Sequence, residues 1–188
     1  MTLHFAGCCA LVTALSSSTA APVPKGAGTT IYFPITPGAK WVYEKVSGVD
    51  EVAVVSGVEK IGDDLVVARA GADGNETRYT KMVVSAEGLR QEREGANGES
   101  AWLLKSGLRS GDSWDVPDGG KRTVYGPEPI EVPAGKFTAL RVVWEHEGGR
   151  LTSWYAPGVG EVKRVEKKPG GKETVTRLLK SFQVKEKK

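Results

Sequence analysis

The chain has 188 residues, 39% of them hydrophobic and 26% charged, with a formal net charge of +3 at pH 7. That length suits one domain with a core thick enough to need neither disulfide nor metal. No run approaches the roughly 18 apolar residues of a membrane helix, and heptads are missing, so a membrane span in the mature chain and a coiled coil are both excluded.

The N-terminus reads as an export signal. Leu3 to Leu15 is apolar, holds no Asp, Glu, Lys or Arg, and runs into Ser16-Ser17-Ser18-Thr19-Ala20-Ala21-Pro22. Ser18 and Ala20 are small residues at −3 and −1 of a cut after Ala20, so residues 1–20 are the predicted signal peptide and the mature chain begins at Ala21. Only the amino terminus and His4 stand in for the usual basic n-region. Phe5-Ala6-Gly7-Cys8 loosely resembles a lipobox, but its preceding segment is short and lacks the usual Leu. A cleaved signal is therefore preferred to lipid anchoring at Cys8. Cys8 and Cys9 are the two cysteines, so cleavage would leave no thiol for disulfides, zinc sites or nucleophilic catalysis. Localisation is expected to be periplasmic or extracellular.

Residues 21–30 are small, polar or proline, a flexible leader; residues 31–185 form the predicted single β domain. Twenty-four glycines and ten prolines among frequent valines suit many short strands punctuated by tight turns. Lys40 to Val46 is the first strand, with Trp41 and Tyr43 on one face and Val42 on the other. Val52 to Lys60, Asp64 to Ala70, Arg78 to Ser85, Gly88 to Arg93 and Ser100 to Lys105 follow. Turns at Gly62-Asp63, Gly71 to Asn75, Ala86-Glu87 and Gly95 to Gly98 separate them. After Gly111-Asp112-Ser113-Trp114 come Arg122 to Tyr125, Ile130 to Val132, Ala139 to Glu147, Arg150 to Tyr155, Glu161 to Glu166 and Glu173 to Val184. In the last of these, Leu178, Phe182 and Val184 are assigned to one face and Arg177, Gln183 and Lys185 to the other.

Gaps of a few residues leave no room for parallel crossovers. The fold class is all-β: a single antiparallel sandwich, barrel or strongly curved sheet of about a dozen short strands. Ile35-x-x-Gly38-x-x-Trp41 and Leu108-x-x-Gly111-x-x-Trp114 share a pattern, either a duplicated unit or one turn chemistry used twice. Each glycine is expected to take a backbone angle awkward for other residues, and each tryptophan to plug the core.

Three phrases occur in order: Tyr32-Phe33-Pro34-Ile35-x-x-Gly38-x-x-Trp41-x-Tyr43, Val132-Pro133-Ala134-Gly135-Lys136-Phe137, and Trp154-Tyr155-Ala156-Pro157-Gly158-Val159-Gly160. With Leu179-Lys180-Ser181-Phe182 they resemble the uncharacterised exported bacterial β-proteins of the TapB-like, domain-of-unknown-function type. The resemblance covers about Ile31 to Phe182. It implies a curved antiparallel sheet and no settled activity, so Gly38, Trp41, Gly111, Trp114, Pro133, Gly135, Trp154, Tyr155, Pro157, Gly158 and Gly160 are read as structural positions.

Catalytic, cofactor and metal residues are expected to be none. His146 would be the one histidine of the mature chain, and no Gly-x-Ser-x-Gly elbow accompanies it. Asp63-Asp64, Asp112, Asp115 and Asp118 fall in turns, where Asp bonds the local backbone. Asp73-Gly74-Asn75-Glu76 lacks the spacing of a calcium loop. No phosphate-binding glycine loop is present. Gly160 to Lys188 holds ten Lys/Arg and four Glu, +6, against −3 elsewhere, a pattern usual for a solvated face; export argues against nucleic acid as its partner. The leading expectation is a non-catalytic binding or structural module of the cell envelope. Its rivals are a carrier or sensor of a lipid or other apolar ligand and a carboxylate-dependent hydrolase. Doubly apolar strands such as Leu65-Val66-Val67 and Met82-Val83-Val84 would serve a carrier. The sequence leaves the partner unknown, with an apolar small ligand and an envelope component as candidates.

Overall fold

The computed structural model describes residues 30–71, 81–92, 100–117 and 119–184. The signal, Cys8, the cleavage site and most of the leader lie outside these residues, as do the Asp73 turn, the Gly95 to Gly98 turn and Asp118. Twelve strands follow in chain order: β1 (Lys40–Lys45), β2 (Glu51–Ile61), β3 (Asp64–Gly71), β4 (Lys81–Ser85), β5 (Gly88–Gln91), β6 (Ala101–Lys105), β7 (Ser113–Asp115), β8 (Lys121–Val132), β9 (Gly135–His146), β10 (Gly149–Ala156), β11 (Gly160–Lys167) and β12 (Glu173–Gln183). No helix occurs among the described residues.

All twelve strands belong to one antiparallel sheet in the order β6-β5-β4-β3-β2-β1-β12-β11-β10-β9-β8-β7. Two six-strand meanders thus meet where β1 pairs with β12, Lys40 opposite Gln183 and Lys45 opposite Arg177. Of the architectures the sequence allows, the strongly curved sheet is the one found. Register shifts between Val42 and Tyr43, Val55 and Gly57, Leu89 and Arg90, Tyr125 and Glu128, Trp154 and Tyr155, and Arg164 and Val165 bend the strands and deepen the twist.

The curvature brings the free edges together without a ladder between them. Trp114 Nε1 on β7 donates to the Trp102 carbonyl of β6 at 3.2 Å, and Arg122 on β8 donates to the same oxygen. Side chains, not a strand pair, bridge this seam.

Three boundaries differ from expectation. Arg122 to Tyr125 and Ile130 to Val132 are halves of one strand, β8, which absorbs Gly126-Pro127 at a register shift. β9 starts at Gly135 rather than Ala139, and Ser113–Asp115 is itself a strand. A bulge also corrects the faces of β12. Val42 opposes Ser181 while Tyr43 opposes Leu179, so Lys180 is the extra residue and alternation reverses across it. Leu178 and Phe182 therefore lie on opposite faces, and Arg177 turns inward with Leu179.

The two similar phrases build the same local structure. Gly38 (φ 82°) and Gly111 (φ 98°) both sit in the left-handed region. Gly38 N–H donates to the Val55 carbonyl at 2.8 Å and Val55 N–H returns to Ala39 at 2.8 Å; Gly111 donates to Val124 at 2.7 Å and Val124 to Asp112 at 3.0 Å. Each phrase thus locks onto the following strand, β2 or β8. Trp41 and Trp114 are 1% and 7% exposed. At 150–250 Å² per aromatic side chain, each contributes roughly 4–6 kcal/mol of burial.

Pro133 lies in the β8–β9 turn, which closes with Val132 opposite Gly135, and Ala134 N–H reaches the Leu179 carbonyl at 3.1 Å. At the β10–β11 turn, which includes Pro157, Gly158 donates to the Ile31 carbonyl at 2.7 Å. A Cβ on Gly160 would stand 3.3 Å from the Phe33 ring. Phe33 in turn lies 5.5 Å from Trp41, whose Nε1 donates to Val159 at 2.7 Å. The segment before β1 is thereby clamped over one end of the curved sheet.

Candidate functional site: the inner cavity

Strand alternation sends one set of side chains from both meanders toward the inner face, and they do not fill it. A cavity of about 520 Å³ remains, lined by residues from every strand but β7 and by Phe33 ahead of β1, within the ~300–1,000 Å³ range of small-ligand sites. Its apolar wall includes Phe33, Trp41, Met82, Leu89, Trp144 and Leu151. Charged side chains share the lining: Lys45, Arg69, Arg122, Arg164 and Arg177 against Glu51 and Glu161, net +3 among the described residues. The interior is open, as a carrier requires, but it is not the apolar pocket expected of one.

Cross-strand pairing places the charges. Ser153 opposes Arg164, Arg164 opposes Arg177, and Arg177 opposes Lys45. Three cations in one row would repel, and two carboxylates hold them. Glu161 accepts from Ser153 Oγ at 2.6 Å, Arg164 Nε at 2.7 Å, Arg164 Nη2 at 2.8 Å and Arg177 Nη1 at 3.0 Å. Glu51 takes both its oxygens to Arg177 Nη2 at 2.8 Å and pairs with Lys45 at 3.0 Å. Tyr43 lies under Arg177, 4.9 Å from guanidinium carbon to ring centroid, and donates its hydroxyl to the Glu161 carbonyl at 2.9 Å.

These contacts set the protonation states. Burial would raise the Glu161 pKa, but the charges of Arg164 and Arg177 and the hydrogen bonds from Arg164 and Ser153 outweigh it and bring it to about 2. Glu51 is lowered too, burial again being outweighed by Arg177 and Lys45. Burial dominates at Tyr43 and Tyr155 and raises both. Two carboxylates tied to guanidinium groups are poor general acids near neutrality, since a catalytic acid needs a raised pKa.

Arg69 stands apart from the network. It projects from β3 opposite Val55, deeply enclosed yet open to the cavity, with its guanidinium 5.4 Å from the Trp41 ring centroid. Its Nε has no hydrogen-bond partner.

Of the positions singled out in the sequence, Trp41 and Tyr155 line the cavity; Gly38, Gly111, Trp114, Pro133, Gly135, Trp154, Pro157, Gly158 and Gly160 do not. Trp154 faces the other side of the sheet, where its Nε1 donates to Glu128 at 2.7 Å and Lys163 lies over its ring at 5.1 Å. His146 stacks on Trp144 at 4.2 Å and accepts from Gly148 N–H at Nδ1, 3.1 Å. Asp112 caps its own turn through Arg109 N–H at 2.7 Å, and Asp64 pairs with Arg90 at 2.9 Å. No group of three metal-ligating side chains occurs among the described residues. The basic C-terminal stretch is not one solvated face: Arg164 and Arg177 point inward. Sequence reasoning passed over Arg69, Glu51, Glu161 and both of these arginines.

No family model matches the chain, and no curated protein is similar to it. Two solved structures share its fold. One is a protein of Parabacteroides distasonis described as a lipoprotein, 16% identical over 82% of this chain and 99% of its own, with a TM-score of 0.54. The other, described as an exported protein with a YmcC-like fold, is from Bacteroides fragilis; it is 15% identical over the same shares of both chains, also at 0.54. At these identities the likeness is one of fold. It gives the curved β-sheet solved counterparts, whereas no match carries the TapB-like label.

Proposed function

We propose that the chain is an exported, non-catalytic binding module of the bacterial envelope, and that the inner face of its curved sheet is the binding seat. The observation that carries this reading is the cavity of about 520 Å³ lined by both apolar and charged side chains, since a purely structural sheet would pack its concave face. The ion-paired state of Glu51 and Glu161 favours holding a ligand over acid-base chemistry. Export is supported by the Leu3 to Leu15 segment with its small-residue cut before Ala21, and by fold neighbours described as exported or as a lipoprotein. The resemblance to TapB-like exported proteins agrees, because it too implies fold without chemistry.

The test is titration of the protein with the neutral fluorophore 1-aminoanthracene, read through its emission and through quenching of Trp41 and Trp144. One-to-one saturable binding, lost when Ala53→Trp fills the cavity from β2, is the expected result. Absence of saturation in the folded protein would sink the reading. Intact-mass measurement of the exported material should give a chain starting at Ala21; a diacylated Cys8 would replace the free exported form with an anchored one.

A further inference from the structure

The two carboxylates of the cavity are taken up by Lys45, Arg164 and Arg177, which leaves Arg69 without one. Glu161 accepts four hydrogen bonds from Ser153, Arg164 and Arg177, and Glu51 is occupied by Arg177 and Lys45. Arg69 forms no ion pair and no side-chain hydrogen bond with any described residue, and its Nε is sealed from solvent. A guanidinium carries five N–H donors and stays charged. Among its nitrogens Nε alone is sealed, so the Nη N–H groups are the donors left open to the cavity, where an anion would serve them as acceptor and offset the positive charge. Burial already lowers its pKa, with Arg177 adding to the effect and Tyr43, Glu51 and Glu161 opposing it.

The surroundings define the rest of the ligand. Arg69 shares the cavity with Trp41, Met82, Leu89, Trp144 and Leu151, a wall that offers nothing to a small hydrophilic ion but covers a hydrocarbon well. Arg122 also lines the cavity, with its guanidinium 5.4 Å from the Trp144 ring centroid. A neutral apolar ligand would leave Arg69 unanswered, and a bare anion would leave the wall uncovered.

We infer that the cavity binds an amphiphilic anion, with its carboxylate or phosphate headgroup at Arg69 and its apolar body along the Trp41, Met82, Leu89 and Trp144 wall. This rests on the binding-seat reading above and names the ligand class for it. A fatty acid and an alkyl phosphate share this chemistry, and the headgroup is read from their relative affinities.

The test is isothermal titration with dodecanoate, dodecyl phosphate, dodecanol and inorganic phosphate, each below its micellar concentration where it has one, on the wild type, Arg69→Met and Arg69→Lys. Both anionic amphiphiles should bind one to one and at least tenfold tighter than dodecanol. Arg69→Met should erase that margin while leaving dodecanol unchanged, and Arg69→Lys should retain part of it. Because Met removes an unanswered charge, the melting temperature of Arg69→Met without ligand should equal or exceed that of the wild type. The wild-type comparison of charged with neutral ligand stands even if the variant folds poorly. Equal affinity for dodecanol, a margin that survives Arg69→Met, or inorganic phosphate binding as tightly as dodecyl phosphate would each overturn the inference. If 1-aminoanthracene and dodecanol enter but the anions gain nothing, only the anion assignment falls; if nothing enters, the seat falls with it.

Discussion

The two places where the meanders meet are built differently. At the β12–β1 junction six residue pairs run from Lys40 opposite Gln183 to Lys45 opposite Arg177, and the Glu161 and Glu51 network crosses it from β11 to β2. At the β6–β7 seam one backbone oxygen, that of Trp102, receives two side-chain donors, Trp114 and Arg122. The phrases opening β1 and β7 are alike down to their backbone bonds, so this contrast arises after the turns. β7 spans three residues where β1 spans six, and it ladders with β8 alone. One junction holds the sheet together; the other can part while every strand pair remains intact.

The contrast can be broken hardest at its strong side. Leu179, fully buried beside Tyr43, should cost about 2–5 kcal/mol when replaced by Ala, measured as a fall in denaturant midpoint with unchanged slope. A loss as small as that of a seam substitution would erase the distinction.

Glu161→Gln should cost roughly 3 kcal/mol by leaving Arg164 and Arg177 without their shared acceptor. It should also change the acid limb. Glu161 has a folded pKa of about 2 against an ordinary 4.5. Its stabilising contribution is therefore complete above about 4.5 and is lost as pH falls toward 2. Melting temperatures across that window should drop steeply for the wild type and more gently for Glu161→Gln. Parallel curves would mean that the carboxylate is not the group holding the junction.

At the seam, Trp114→Phe keeps an aromatic side chain, though a smaller one, and deletes the donor to Trp102. The cost should be about 1 kcal/mol, and faster amide exchange should be confined to β6 and β7. Acceleration spread through β1 and β12 would show the two junctions to be one cooperative unit. Of similar size, Gly38→Ala and Gly111→Ala should each cost about 1 kcal/mol through left-handed backbone strain; at Gly111 a Cβ meets nothing within 4 Å, so strain alone is at work there. Unequal costs would separate two halves that the turn geometry makes alike.

Much of this fold could be read from residue order. Glycine turns and period-two alternation located most strands, and Trp41 and Tyr43 do share the inner face. What escaped was facing, and through it the site. The extra residue at Lys180 reverses alternation along β12, so Arg177, assigned from spacing to the side of Gln183 and Lys185, turns to the interior. Glu161 enters the network through the shift at Trp154 and Tyr155. A bulge has no composition of its own, and one inserted residue exchanges the two faces for every residue beyond it. Arg69 lies in an alternating strand and was within reach, but the unmet donor that marks it exists only once Trp41 and the opposite wall are in place.

The β12–β1 ladder also bears on how the chain finds its shape. Every other strand pair joins neighbours in sequence, whereas this one joins the first strand to the last, so its closure entropy is met last and slows folding. Because Lys40 lies opposite Gln183, β12 could be joined to β1 by a linker that keeps the segment before β1 with its Phe33 clamp, and the chain could be opened between β6 and β7, where no ladder is cut. In that circular permutant the sheet would read β7 to β12 and then β1 to β6, a pure meander of lower contact order. Stopped-flow refolding should find it faster than the natural chain, with the inner cavity unchanged.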